Sequence, residues 1–156
     1  MSTDSYLHIQ TKRAGKVKGE CVAPGHADDI AVRSWSWGVS APTAMGSVQA
    51  TARRSYKNLT FVKGTDTAST ALLSALVTND EVKEASLMMR KAGEGQQDFL
   101  RLTLKNARIT AVDIDSSEDG DVFERVSIAF TKVEIEYSPQ QRTGQRGAAY
   151  VFNDDV

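Results

Sequence analysis

The sequence predicts a mainly β domain, one closed or nearly closed antiparallel barrel or else a sandwich, carrying a single short α-helix. Three observations predict it. Short runs of alternating apolar and polar residues recur along most of the chain, as expected where side chains alternate across a strand. Two of those runs change the parity of their apolar residues midway, which is what a bulge or bend does to a strand. Only one segment has helical spacing. A chain with so many short strands removes its exposed edges by closing on itself or by pairing its sheets.

Taken in order, residues 6–12 (Y-L-H-I-Q-T-K) set Leu7 and Ile9 between polar neighbours and form a first strand. Residues 29–39 place Ile30 and Val32 on one parity and Trp35, Trp37 and Val39 on the other, so a bend is expected near Arg33–Ser34. Both tryptophans of the chain lie in this run, at i and i+2. Each buries about 150–250 Å² when packed. Trp35 and Trp37 are therefore expected on the core side of the strand, with Ser34 and Ser36 on the opposite face. Residues 58–63 (N-L-T-F-V-K) read as a further short strand.

Residues 66–79 form the helix. Asp66, Thr67 and Ser69 are candidate N-caps. Leu72, Leu73, Leu76 and Val77 make one apolar face, and Asn79 is the stop. Strands resume at 81–92 and 98–105 around Gly93-Glu94-Gly95, a hairpin turn rather than a phosphate loop, since no G-K-[ST] and no helix follows. Residues 107–115 run as another strand into an acidic loop, and 122–137 return from it. In that last run Val126, Ile128 and Phe130 oppose Val133, Ile135 and Tyr137 in parity, which calls for a bulge near Thr131–Lys132. Residues 150–152 read as a last edge strand. No repeat or linker divides the chain, so residues 1–156 are expected as one domain with 138–156 partly extended.

The charge balance excludes several functions. Nineteen basic residues against twenty acidic ones leave a net charge of −1, with no bulk attraction to nucleic acid or to an anionic membrane. No run is long enough for a membrane helix, and residues 1–16 lack the apolar centre of a signal peptide. Synthesis in the cytoplasm is expected, and any export needs a route without a cleaved signal. Cys21 stands alone and can form neither an internal disulfide nor a metal motif.

In the acidic loop 113–121, Asp115, Ser117, Asp119 and Gly120 fit positions one, three, five and six of a calcium loop, but position twelve is Val126 rather than Glu. A hairpin turn closed by Asp119-Gly120 is the better reading. His8 and His26 lack metal-ligand spacing and read as ordinary surface or turn histidines. There is no G-x-S-x-G elbow and no Cys–His motif, and Glu134 and Glu136 lie on the polar side of a strand. No catalytic residue, metal ligand or cofactor is expected. One contrast of charge remains: Arg53, Arg54, Lys57 and Lys63 in an acid-free stretch, against five acids at 113–121 with no base.

With those runs in place, the chain resembles the hemolysin-coregulated protein (Hcp) family, which builds the inner tube of the bacterial type VI secretion system. The matching pieces, in the family's order, are K-V-K-G-E (16–20), G-H-A-D-D-I-A-V (25–32), W-S-W-G-V-S (35–40) and L-T-F-V-K (59–63). D-T-A-S-T-A-L-L (66–73), L-M-M-R-K-A-G (87–93) and E-R-V-S-I-A-F-T-K-V-E-I-E-Y (124–137) continue them. The resemblance spans about residues 6–140. Thr70 stands where the family often has proline, and the turn T-K-R-A-G is slightly long.

The resemblance implies a compact β-barrel of two packed antiparallel sheets with one short helix, assembling as a homo-hexameric ring. It implies that rings stack into a tube that leaves a Gram-negative cell and carries or chaperones effector proteins, with the sheath and spike proteins of the same system as further partners. Ser36 is then expected on the channel-lining face. The long connection 41–57 is expected to reach a neighbouring subunit, bringing Arg53, Arg54 and Lys57 against Asp113, Asp115, Asp119 and Asp121 of another copy. Two alternatives are a dedicated effector-binding chaperone or receptor ring of the same system, and a small secreted hydrolase. Nothing in the sequence favours the hydrolase, and the 19 residues after Tyr137 are too few for an added catalytic domain.

Overall fold

The alternating runs become strands, and the longest of them organises the rest. The computed structural model describes residues 3–43, 46, 48, 54–91, 97–139 and 148–156. Their elements are β1 (Thr3–Thr11), β2 (Gly15–Lys16), β3 (Ile30–Val32), β4 (Ser34–Ser36), β5 (Val39–Ser40), β6 (Ser55–Tyr56), β7 (Leu59–Gly64) and α1 (Ala68–Val77). They continue with β8 (Val82–Lys91), β9 (Asp98–Ser116), β10 (Val122–Ala129), β11 (Lys132–Tyr137) and β12 (Tyr150–Asp155). The turn expected at 93–95 lies outside the described residues.

β9 is the spine, 19 residues long, where two strands were expected. Its first half pairs antiparallel with β8 on one edge and β11 on the other, and its second half pairs with β10. Asn106 adopts a left-handed φ of 48° between the halves, a conformation asparagine tolerates better than most residues. The strand bends there without ending. Opposite it, β10 breaks at Phe130–Thr131 and resumes as β11, so the parity change falls where it was expected. The register does not slip at that break, since Ala129 faces Arg108 and Lys132 faces Lys105. The bulge lies one step earlier, between Ser127 and Ile128, where Thr110 is the extra residue on β9.

The expected barrel does not close. Ten strands form one antiparallel sheet along the path β2-β1-β8-β9-β10-β7-β4, with β3 on β1 and β11–β12 on β9, while β5 and β6 form a separate two-stranded sheet. The reason is the bend at Arg33. Before it, β3 pairs with β1; after it, β4 pairs with β7. Each stretch is three residues long, so no continuous ladder joins the two ends. The bent sheet still wraps one core, in which Leu7, Ile9, Leu87 and Leu104 meet Leu59, Phe61, Val126 and Ile128.

The helix is shorter than the expected 66–79. Thr67 occupies the N-cap position without a capping side-chain bond. Asp66 acts instead: its carboxylate accepts from the Ala68 N–H at 2.9 Å, and its own N–H donates to Ser69 Oγ at 3.0 Å. Asn79 stops the helix with φ 58°. Its N–H donates to Leu76 O while that of Asp80 donates to Ala75 O, the two bonds of a Schellman end. The buried face is Ala68, Ser69, Leu72 and Ala75. Val77, expected on that face, is 81% exposed.

Residues 17–29, between β2 and β3, form a strap over the second face of the sheet. Leu87 and Met89 of β8 point into the core, while Ser86, Met88 and Arg90 point the other way, and all five are buried. The strap is tied to itself by Gly19 N–H to Asp28 O, Asp28 N–H to Cys21 O and Cys21 N–H to Asp29 O. Gly19 is required there, because a Cβ would run into the Asp29 carbonyl. His26 was expected at the surface or in an open turn. It is 2% exposed, its ring stacked on Tyr6 at 4.3 Å.

Candidate functional site

The tryptophan strand separates its faces as the alternation requires. Trp35 pairs with Phe61 across the β4–β7 ladder, and both Trp35 and Trp37 pack against the core while remaining partly exposed. Trp37 joins Tyr56 and Phe130 in an aromatic cluster, with centroid distances of 5.8 and 6.4 Å. Its indole nitrogen is buried and has no acceptor among the described residues. The apolar stripe ends at Trp37, because Val39 belongs to the separate β5–β6 hairpin and is exposed.

Ser34 and Ser36 are exposed on the opposite face. Ser36 faces Thr60, Thr60 faces Ser127, and their two hydroxyls meet at 3.2 Å. Ser127 in turn faces Ala111. The result is a row of small side chains across β4, β7, β10 and β9. It offers hydroxyl donors and acceptors without bulk.

The expected inter-subunit charges do not all stand free. Arg53 lies outside the described residues. Arg54 makes a bidentate contact with Asp154 of β12, from Nε at 2.5 Å and Nη2 at 3.1 Å, and a third bond to Asp155 O at 2.9 Å. The Tyr56 hydroxyl donates to the same Asp154 carboxylate at 2.6 Å. Bonds from Arg54 and then Tyr56 pull the Asp154 pKa down to about 2. Lys57 is exposed.

At the β9–β10 hairpin, Arg33 forks onto Asp121 at 2.6 and 3.1 Å, and this guanidinium holds the Asp121 carboxyl below its ordinary range. The Ser117 hydroxyl bonds Asp119. Gly120 takes φ 89° and donates to Ser117 O, closing a hairpin turn. Asp113 and Asp115 are exposed on β9. No group of three or more His, Cys, Asp and Glu side chains among the described residues is arranged to hold a metal ion. No helix among them is long and apolar enough to cross a membrane.

The family model for the type VI secretion system effector Hcp matches residues 6–137. The chain belongs to the Hcp family. Hcp1 of Pseudomonas aeruginosa is 32% identical to it over 150 residues, which are 94% of this chain and 90% of that protein. The solved structure of Hcp1 from Salmonella typhimurium is 27% identical with a TM-score of 0.78, covering 99% of this chain and 95% of that one. A structure described as a type six secretion system protein shares the fold at a TM-score of 0.87 and 21% identity, over 99% of this chain and 96% of that one. This Hcp chain is accordingly a tube and effector-class protein of the type VI secretion system.

Two polar clusters of this Hcp chain escaped the sequence reading. Lys63, on the core parity of β7, is 0% exposed and donates to Glu124 Oε1 at 2.8 Å, to Ser69 Oγ at 3.0 Å and to Gly64 O at 3.0 Å, with Asp66 Oδ1 at 2.9 Å. The alternation puts a lysine and a glutamate on core positions of facing strands (Glu124 faces Lys63), and that mismatch was the available signal. The second cluster holds the strap. His26 meets Asp29 and Asp98, Arg90 meets Asp98, and His8 and Lys16 meet Asp29. Only the His26–Asp29 spacing is local; Asp98 is 72 residues away.

Proposed function

We propose that this Hcp chain forms hexameric rings that stack into the exported type VI tube, and that the tube carries effector proteins in its channel. The match of the family model over residues 6–137 carries this reading. A structural role, not a catalytic one, fits the residues. A ring repeats one head-to-tail contact until rotation closes it, so two different surfaces of each chain are needed. The hairpin β5–β6 with its long connection supplies one, through Lys57 and the arginines Arg53 and Arg54. The acidic hairpin tip at Asp113, Asp115, Asp119 and Asp121 supplies the other.

The hydroxyl row at Ser36, Thr60 and Ser127 lines the channel in this reading, where small side chains leave room for cargo and still offer hydrogen bonds. Sheath and spike proteins of the same system are its other partners. Mass by light scattering behind a sizing column, with images of the peak, tests the assembly. Six copies of 17.0 kDa give about 102 kDa and ring-shaped particles; a monodisperse 17.0 kDa species at high concentration overturns the ring. In the same assay Ser36→Gln leaves the ring mass unchanged and abolishes co-purification of effectors.

A further inference from the structure

His26 is a buried histidine with a carboxylate at each ring nitrogen. Nδ1 stands 3.1 Å from Asp29 Oδ2 and Nε2 stands 3.0 Å from Asp98 Oδ1. A carboxylate only accepts hydrogen bonds, so a ring nitrogen facing one must donate. Both contacts exist together only when the ring carries both protons.

The two carboxylates favour that state, while burial and the cations that share them oppose it. On the strap, Asp29 also meets Lys16 of β2 and His8 of β1, each at 3.3 Å. On β9, Asp98 also meets Arg90 of β8 at 3.4 Å. Tyr6 of β1 stacks under the imidazole with an interplanar angle of 13°, and the Arg90 guanidinium lies 5.7 Å from the centre of the Tyr6 ring. The two carboxylates come from different parts of the chain: Asp29 ends the strap, and Asp98 starts β9. Among the described residues, His26 is the only side chain that bonds both.

We propose that His26 is a proton-dependent clasp that holds the 17–29 strap onto the sheet. Doubly protonated, it ties the strap to the start of β9. When Nε2 gives up its proton, its lone pair faces Asp98 Oδ1, and that tie is lost. The strap then opens locally and uncovers Tyr6, Ser86 and Met88, which are 9%, 6% and 8% exposed beneath it.

The test is hydrogen exchange of the full-length, assembled protein across a pH series. Strap peptides (17–29) are compared with a β10 peptide after correction for intrinsic exchange. The protonation of His26 is followed by NMR on its own ring signal, identified by its absence in His26→Gln. In the wild type, strap protection relative to β10 falls roughly tenfold or more as His26 loses its proton, the scale of one lost hydrogen bond to a charged group.

In His26→Gln, whose amide presents one donor group and one acceptor group at every pH, strap protection is low and flat. Asp98→Asn serves where His26→Gln does not fold. Its amide can donate to a neutral ring, so the strap stays protected on both sides of the His26 titration. A wild-type strap whose protection ignores that titration overturns the clasp. So does a variant that keeps the wild-type pH dependence.

Discussion

Lys63 and Glu124 sit on core positions of β7 and β10, where the alternation calls for apolar residues. Taking two charges out of water is expensive, and their attraction returns that cost only with good geometry and further hydrogen bonds. Lys63 donates to three hydrogen-bond acceptors and also meets the Asp66 carboxylate, but Glu124 Oε2 has no hydrogen-bond partner among the described residues. Burial pushes the Glu124 carboxyl up, and the Lys63 ammonium together with the Ser69 and Thr65 hydroxyls outweighs it, leaving the group below its ordinary range. Glu124→Ala removes one of the two carboxylates on a buried ammonium, leaving Asp66, and is expected to destabilise by about 1–3 kcal/mol, while the paired change Lys63→Met with Glu124→Leu is neutral or stabilising. Because the folded value is depressed, the Glu124 contribution is complete above its unfolded value of about 4.3 and is lost as pH falls through the folded one. The wild type should therefore weaken against the paired variant in acid. Urea unfolding of the three proteins at pH 7 and pH 4 measures both effects, and a Glu124→Ala midpoint equal to wild type would sink the assignment.

At the scale of elements, the β5–β6 hairpin is held to the main sheet through Asp154. Arg54 and Tyr56 both bond its carboxylate, so the base of the long connection is anchored to the edge strand β12. That bond pushes the Tyr56 phenol up as it pulls Asp154 down to about 2. The sign follows from the depressed folded value: the tie is complete above the ordinary value of 3.8 and disappears as pH falls through about 2. Asp154→Asn should speed hydrogen exchange in a peptide covering residues 54–57 without touching β10. The gap from wild type should close as the pH is lowered through about 2; a gap that persists there would contradict the tie. Much of this scaffold was legible in the sequence. The parity changes at Arg33 and Thr131 marked bends, Asn79 marked the helix end, and residues 150–152 marked the edge strand. Three things were not. The continuity of β9 depends on Asn106 accepting a left-handed φ inside a strand. The open path of the sheet depends on how few residues β3 and β4 each pair. The strap cluster joins residues from four elements, and alternation describes neighbours only.

The whole molecule raises one question that the charge pattern alone could not pose. Residues expected to reach another copy are partly engaged at home: Arg54 with Asp154, and Asp121 with Arg33. Arg54 can support a ring in two ways. It can meet an acid of the neighbour directly, or it can hold the hairpin base so that the connection beyond it, including Arg53, reaches across. Its three bonds to β12 favour the second. Arg54→Glu alone sets two acids against each other and is expected to lower the hexamer fraction. Arg54→Glu combined with Asp154→Arg rebuilds the pair with its charges exchanged, and is expected to restore the ring mass. Light scattering of both variants at matched concentration separates the two routes. If the exchanged pair forms and the rings stay lost, the positive charge at position 54 is itself the contact, and its partner is to be sought at Asp113, Asp115 and Asp119. Recovery places the arginine in the scaffold, and leaves Arg53 and Lys57 as the charges that face the next subunit.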